Sequence, residues 1–273
     1  MLPRVLTASV GFPILVAAIW WGAPWLTILV TLLAVLGIRE LYRMVPPNAG
    51  PLPAVFGAFW VAALVLGAQA ASGLTSFLLI SAGVWSIGAF LAILWFIALY
   101  TGGRYTIAGI YLLAGPIYVG FLLAHGLVLR DVYGGGEIGR SWLLFAVLAA
   151  FATDTGAFYT GRLWGRRPMA PAISPGKTWE GAGGGLICAV VASLVLDAFL
   201  DLIIPGWQVV VIGATVGILA QCGDLLESKL KRVSGVKDAG SIIPGHGGVL
   251  DRLDSIVVSL PTVYYFVATV FRP

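Results

Sequence analysis

A polytopic bundle of membrane-spanning α-helices is the fold class this sequence predicts, and three observations carry the prediction. Hydrophobic residues make up 59% of the 273 and mean hydropathy is +0.98, well beyond the ~45–50% apolar usage of soluble domains. Several apolar runs exceed the ~18 residues that suggest a bilayer-crossing helix. No run alternates with a period of two, as the strands of an outer-membrane barrel would. The expectation is a single membrane domain over 1–273, with N-terminal helices in 1–130 and chemistry-bearing helices and cytoplasmic loops in 140–273.

About nine helices are expected. The first, 5–21, could pass for a signal peptide, but no small-residue cleavage site follows it, so it reads as a membrane helix. Trp21-Gly-Ala-Pro-Trp25 makes a tight turn whose tryptophans suit the headgroup level, and the second helix runs over 25–43. Pro46, Pro47, Pro51 and Pro53 break the chain before the third, 54–72. The fourth, 75–100, is longer than a bilayer requires and suits a tilted or split rod. The remaining runs are 107–129, 140–163, 181–203, 207–231 and 248–271.

Charge placement orients these helices. With the N-terminus in the cytoplasm, only Arg130, Arg140 and Arg272 of the 16 Lys and Arg residues fall outside, as the positive-inside rule requires. Loops 162–180 and 232–247 are then cytoplasmic, where nucleotides are. The net charge of +4 reflects this topology rather than nucleic-acid binding. Cys188 and Cys222 stand alone in apolar surroundings, without metal-ligand spacing, and read as small buried side chains; His125 reads as structural or interfacial.

Only 10% of residues are charged, yet the stretch from Ser228 to Asp254 holds Lys229, Lys231, Arg232, Lys237, Asp238, His246, Asp251, Arg252 and Asp254. Upstream of it, Gln221, Asp224, Ser228 and Lys231 recur at spacings of three and four and share one helix face. Asp251, Asp254 and Ser255 form a second polar face at the start of the last helix, and Asp154 adds an acid near the cytoplasmic end of the sixth. A carboxylate in a membrane helix is costly unless paired or solvated, so each marks a candidate site. Converging acids among many cations suit a divalent metal with a polyphosphate, and oxygen ligands of this kind suit Mg²⁺. No His or Cys cluster argues for zinc.

Gly176-Lys177-Thr178 resembles the end of a P-loop, but that motif needs a glycine where Pro171 stands. What remains is a lysine and hydroxyls at the start of the seventh helix, whose backbone amides can hold an anion. His246 lies between Gly245 and Gly247-Gly248, where the backbone can approach a ligand closely.

Together these residues make the chain resemble the CDP-diacylglycerol synthase (phosphatidate cytidylyltransferase) family. The signature is met at Ser228, Lys231-Arg232, Lys237-Asp238, His246-Gly247-Gly248 and Asp251-Arg252-Leu253-Asp254. Asp154 through Arg162, and Ser174-Pro175 through Lys177-Thr178-Trp179-Glu180-Gly181, resemble upstream blocks of the family, with Gly176 where many relatives carry a second lysine. The first five helices match only in being apolar.

The resemblance implies Mg²⁺-dependent transfer of a cytidylyl group from CTP to phosphatidate, giving CDP-diacylglycerol and pyrophosphate. It also implies a multi-pass protein of a bacterial-type inner membrane, surrounded by membrane lipids, its site facing the cytoplasm, and a homodimer. Catalytic roles fall to Asp224, Asp251, His246 and Lys237, with the metal on Asp224 and Asp251 and Asp154 supporting it directly or through water. Substrate binding falls to Asp154, Arg162, Ser174, Lys177, Thr178, Glu180, Ser228, Lys229, Lys231, Arg232, Asp238, Arg252 and Asp254. Two other classes compete: a CTP-dependent lipid kinase, which would need a base to deprotonate an alcohol, and a secondary transporter, which would place its acids at the midplane within paired repeats. The signature argues against the first, and the absence of a visible repeat against the second.

Overall fold

The computed structural model describes residues 2–101, 103–243 and 247–270. Among the described residues, seven helical rods are long and apolar enough to cross a membrane: Trp25–Arg43, Leu74–Leu99, Tyr105–Arg130, Gly136–Trp164, Trp179–Leu200, Gly206–Val233 and Leu250–Val270. The apolar helices Ser9–Trp21 and Ala54–Gln69 are shorter. The protein is thus a polytopic helical membrane protein. Its chain forms two compact units, one of residues 1–128 with 233–252, the other of 129–232 with 253–273.

The first unit is built from α1 (Leu2–Trp21), α2 (Trp25–Arg43), α3 (Ala54–Gln69), α4 (Leu74–Leu99), α5 (Tyr105–Gly115) and most of α6 (Leu122–Arg130). The helix expected over 107–129 is interrupted by a π-helical turn at Pro116–Phe121. Proline has no N–H to give the carbonyl four residues back. The carbonyl of Leu112 accepts instead from the Tyr42 hydroxyl at 2.9 Å, and that of Leu113 from Trp85 Nε1 at 3.3 Å. Helices α2 and α4 are thereby fastened to the end of α5, beside the widened turn. Gly57 lets the Tyr42 ring lie against the backbone of α3, where a Cβ would strike it.

The second unit holds α7 (Gly136–Trp164), α8 (Trp179–Leu200), α9 (Gly206–Val233) and α11 (Ile256–Val270). Helices α7 and α8 approach closely because Gly156 meets Cys188 and Gly184 meets Thr160, positions where a Cβ would clash. Between them the segment read as a loop contains an antiparallel hairpin, β1 (Pro168–Ala170) and β2 (Ser174–Thr178), with Pro168 opposite Thr178 and Ala170 opposite Ser174. A hairpin this short is marginal alone. Two side chains pin it: Glu180 Oε2 accepts the N–H groups of Arg166 and Arg167 at 3.0 and 3.1 Å, and Arg232 Nε donates to the Ile173 carbonyl at 3.0 Å. Thr178 then caps α8, its hydroxyl accepting the Gly181 N–H at 3.1 Å.

The single helix expected over 248–271 is divided into α10 (Leu250–Leu253) and α11. The Asp254 carboxylate accepts the N–H of Ser255 at 2.8 Å, a local side-chain bond that competes with the helical ladder. Of the residues expected to share a polar face, Asp251 belongs to α10 and the first unit, and Asp254 and Ser255 to the second.

Candidate active site

In the second unit a cavity of about 470 Å³ opens among α7, β2, α8 and α9, lined by Phe158, Arg162, Met169, Lys177, Thr178, Gln221 and Asp224 among others. Strand β2 carries Lys177 onto its wall, where Nζ meets Asp224 Oδ2 at 2.8 Å. The Ser228 hydroxyl, one turn along α9, donates to Asp224 Oδ1 at 3.4 Å. Gln221 Nε2 donates to Gly217 O at 2.8 Å and to Ala182 O at 3.3 Å, tying α9 to α8 beside the cavity. Asp224 thus sits on a rigid helix face with both carboxylate oxygens engaged, one by a cation.

Next to this pair lie two more carboxylates. The Ser255 hydroxyl donates to Asp154 Oδ1 at 2.9 Å and lies 3.4 Å from Asp254 Oδ1, so it sits between them. Asp154 interacts electrostatically with Asp254, Asp224 and Lys177. Gly223 allows the carbonyl of Asp254 to pack on α9, where any Cβ would collide with it. Asp154 and Asp254 are thus bridged by one serine, while Asp224 is paired with one lysine.

Residues 2–270 match the cytidylyltransferase family. The chain belongs to that family. The phosphatidate cytidylyltransferase of Staphylococcus saprophyticus is 34% identical over 259 residues, spanning 94% of this chain and 95% of that protein. The enzyme of the same name from Bacillus subtilis is 37% identical over 152 residues, 56% of this chain and 55% of its own. That from Haemophilus influenzae is 44% identical over 133 residues, 47% and 46% of the two chains.

Against this family background, the residues singled out by sequence separate into groups. Lys177, Asp224 and Ser228 are joined by direct contacts, Asp154 and Asp254 meet through Ser255, and Arg162 and Thr178 line the cavity with Lys177 and Asp224. Ser174 opens β2. Glu180 accepts backbone N–H groups just before the hairpin and Arg232 donates to its turn, so both brace the strand that carries Lys177. Lys231 Nζ lies 3.5 Å from Glu227, and Lys229 is exposed. In the first unit Lys237, Asp238 and Arg252 are exposed, and Asp251 Oδ2 accepts the N–H groups of Ala239 and Gly248 at 3.0 and 2.8 Å. His246 lies outside the described residues.

Sequence reasoning passed over Glu227, Ser255 and Glu40 as site residues. Glu227 is fully buried in α9 and pairs with Lys231 one turn on; a carboxylate four residues before a lysine in an apolar helix was the available signal. Ser255 stood beside Asp254 in sequence, but its contact with Asp154 spans 101 residues.

The oxygen donors in this unit are hard: Asp224 with the Ser228 hydroxyl in one group, and Asp154 and Asp254 with the Ser255 hydroxyl in another. Among the described residues no three acidic, His or Cys side chains are close enough to hold an ion by themselves. That pattern fits Mg²⁺, which commonly binds through one or two carboxylates and lets substrate phosphates and water complete its shell.

Proposed function

We propose that this chain transfers the cytidylyl group of CTP to phosphatidate, releasing pyrophosphate and forming CDP-diacylglycerol. The observation that carries the reading is the Lys177–Asp224 pair on the wall of a cavity with both charged and apolar lining, in a chain of the cytidylyltransferase family. A phosphate oxygen of phosphatidate attacks the α-phosphorus of CTP; that P–O bond forms as the bond to the β-phosphate oxygen breaks. The nucleophile is already anionic, so no strong base is needed, and rate enhancement comes from neutralising and aligning phosphates.

Lys177 and Arg162, on the cavity wall, neutralise phosphate charge, while Thr178 and Glu180 hold β2 so that Lys177 keeps its place. Asp224 and Asp154 would hold Mg²⁺, which when bound supplies charge neutralisation at the transferring phosphoryl group. Ser255 keeps Asp154 oriented, and Gln221 keeps the α9 face that carries Asp224 against α8. The site faces the cytoplasm of a bacterial inner membrane, a placement supported by the segregation of Lys and Arg to one set of loops. CTP enters from water and the lipid from between helices; the family resemblance adds a homodimer to this reading.

The test uses purified protein in detergent with phosphatidate, Mg²⁺ and CTP labelled at either the α or the γ phosphate. Organic-soluble label from α-labelled CTP alone is the expected result. Lipid label from γ-labelled CTP would replace the proposal with a lipid kinase.

A further inference from the structure

The first unit contains a carboxylate that none of these roles uses. Glu40 sits in α2 with 2% of its surface exposed, inside an apolar span where an uncompensated acid is costly. Its Oε2 accepts the backbone N–H of Leu250, the first residue of α10, at 3.0 Å. Gly37, one turn earlier on the same face of α2, leaves room for the Leu250 side chain, which approaches to 3.3 Å of where a Cβ would be. Leu250 is therefore seated twice on α2, by its side chain over Gly37 and by its amide on Glu40.

Two glycines, one in the Leu250 arm and one in the arm before it, pass over the same carboxylate. A Cβ at Gly240 would collide with Glu40 Oε1, and one at Gly248 would come within 2.7 Å of both Glu40 Oε2 and the Gly240 nitrogen. Asp251 closes the arrangement from the other side, its Oδ2 taking the amides of Ala239 and Gly248. The Ile243 amide donates to Gly247 O at 2.9 Å, pairing the two arms farther out. The 247–251 arm is thus hydrogen-bonded to the carboxylate on α2, the 237–243 arm packs against that carboxylate at Gly240, and Asp251 ties the two arms together, with Gly240 and Gly248 leaving the space a Cβ would take from Glu40.

We infer that Glu40 is a positioning residue: its carboxylate holds the 247–251 arm through the Leu250 amide and backs the 237–243 arm at Gly240, and so sets where Lys237 and Asp251, to which the family resemblance gives catalytic roles, stand. The inference rests on the proposed reaction for its kinetic consequence, while the anchoring itself can be read without any reaction. A glutamine keeps one carbonyl oxygen for the Leu250 amide; an alanine orphans that amide and leaves a void beside the glycines.

Hydrogen–deuterium exchange and steady-state kinetics on full-length protein in detergent test this. In Glu40→Ala, exchange should rise at least about tenfold in peptides covering 237–243 and 247–251 and stay unchanged in α7 and α8. Its kcat should fall at least about tenfold with KM for CTP within about twofold, and Glu40→Gln should recover most of both. Wild-type exchange in the two arms of Glu40→Ala overturns the inference, as does a rise spread through every helix of a protein that still folds. Altered exchange with no cytidylyl transfer in the wild type would instead sink the reaction and leave the anchor standing. Should Glu40→Ala fail to fold, Gly240→Ala decides: its Cβ should lower kcat, and adding Glu40→Asp, which withdraws the carboxylate by one methylene, should restore part of it. No restoration overturns the anchor.

Discussion

Replacing Lys177 with alanine removes the cation from Asp224 and from the phosphates at the same time. The pair is 2.8 Å apart with side chains 21% and 33% exposed, between the surface case, worth ~0–1 kcal/mol, and the buried case, where breaking a pair costs ~3–5 kcal/mol. A stability loss of about 1–2 kcal/mol follows. The catalytic loss is larger in consequence: a hydrogen bond to a charged group contributes ~1.5–3 kcal/mol, so kcat/KM should fall at least about tenfold, equivalent to ~1.4 kcal/mol. Gly176 makes a second arm of the experiment available. It lines the same cavity, and a Cβ built there meets nothing within 4 Å. Gly176→Lys in the Lys177→Ala background should therefore fit and recover part of the loss, though strand alternation starts its side chain on the opposite face of β2. The assay is the initial rate of transfer from α-labelled CTP into organic-soluble product, across CTP and phosphatidate concentrations at saturating Mg²⁺. Wild-type kinetics in Lys177→Ala would refute the reasoning and reduce the hairpin to a connector.

Asp224→Asn and Asp251→Asn should each lower turnover at least about a hundredfold (~2.7 kcal/mol) while the protein stays inserted and folded; near-normal turnover at ordinary Mg²⁺ would exclude that residue from a charge-dependent role. Glu180→Ala cuts both hydrogen bonds to Arg166 and Arg167, so exchange across 166–178 should rise and kcat/KM should fall several-fold, with Glu180→Gln intermediate; unchanged exchange would show that Arg232 alone secures the hairpin. Cysteines introduced at Arg167 and Val236 in a Cys188→Ser, Cys222→Ser background should react with an impermeant thiol reagent only after the membrane is opened, and labelling in intact cells would reverse the orientation.

Composition and periodicity determined the helical membrane class, because hydropathy and the length of apolar runs depend on sequence alone. The positions of Asp154, Lys177 and Asp224 as candidate site residues were legible for a related reason: charge in an apolar chain is expensive, and its persistence marks use. What sequence could not decide were contacts whose partners lie far along the chain. Ser255 became a partner of Asp154 only when α7 met the turn before α11. At the π-turn, the Leu112 carbonyl that Pro116 cannot serve found its donor in Tyr42, 70 residues away in sequence. The break at Asp254 turned an expected continuous helix into two, assigning Asp251 to loop closure in the first unit and Asp254 to the acidic network in the second. Glu40 shows the limit most clearly. In sequence it is one acid beside Arg39 in an apolar helix, and the 210 residues separating it from Leu250 hide the bond that gives it a purpose. Tertiary packing decides such cases because a buried carboxylate and a buried backbone amide are each costly alone and stabilising together.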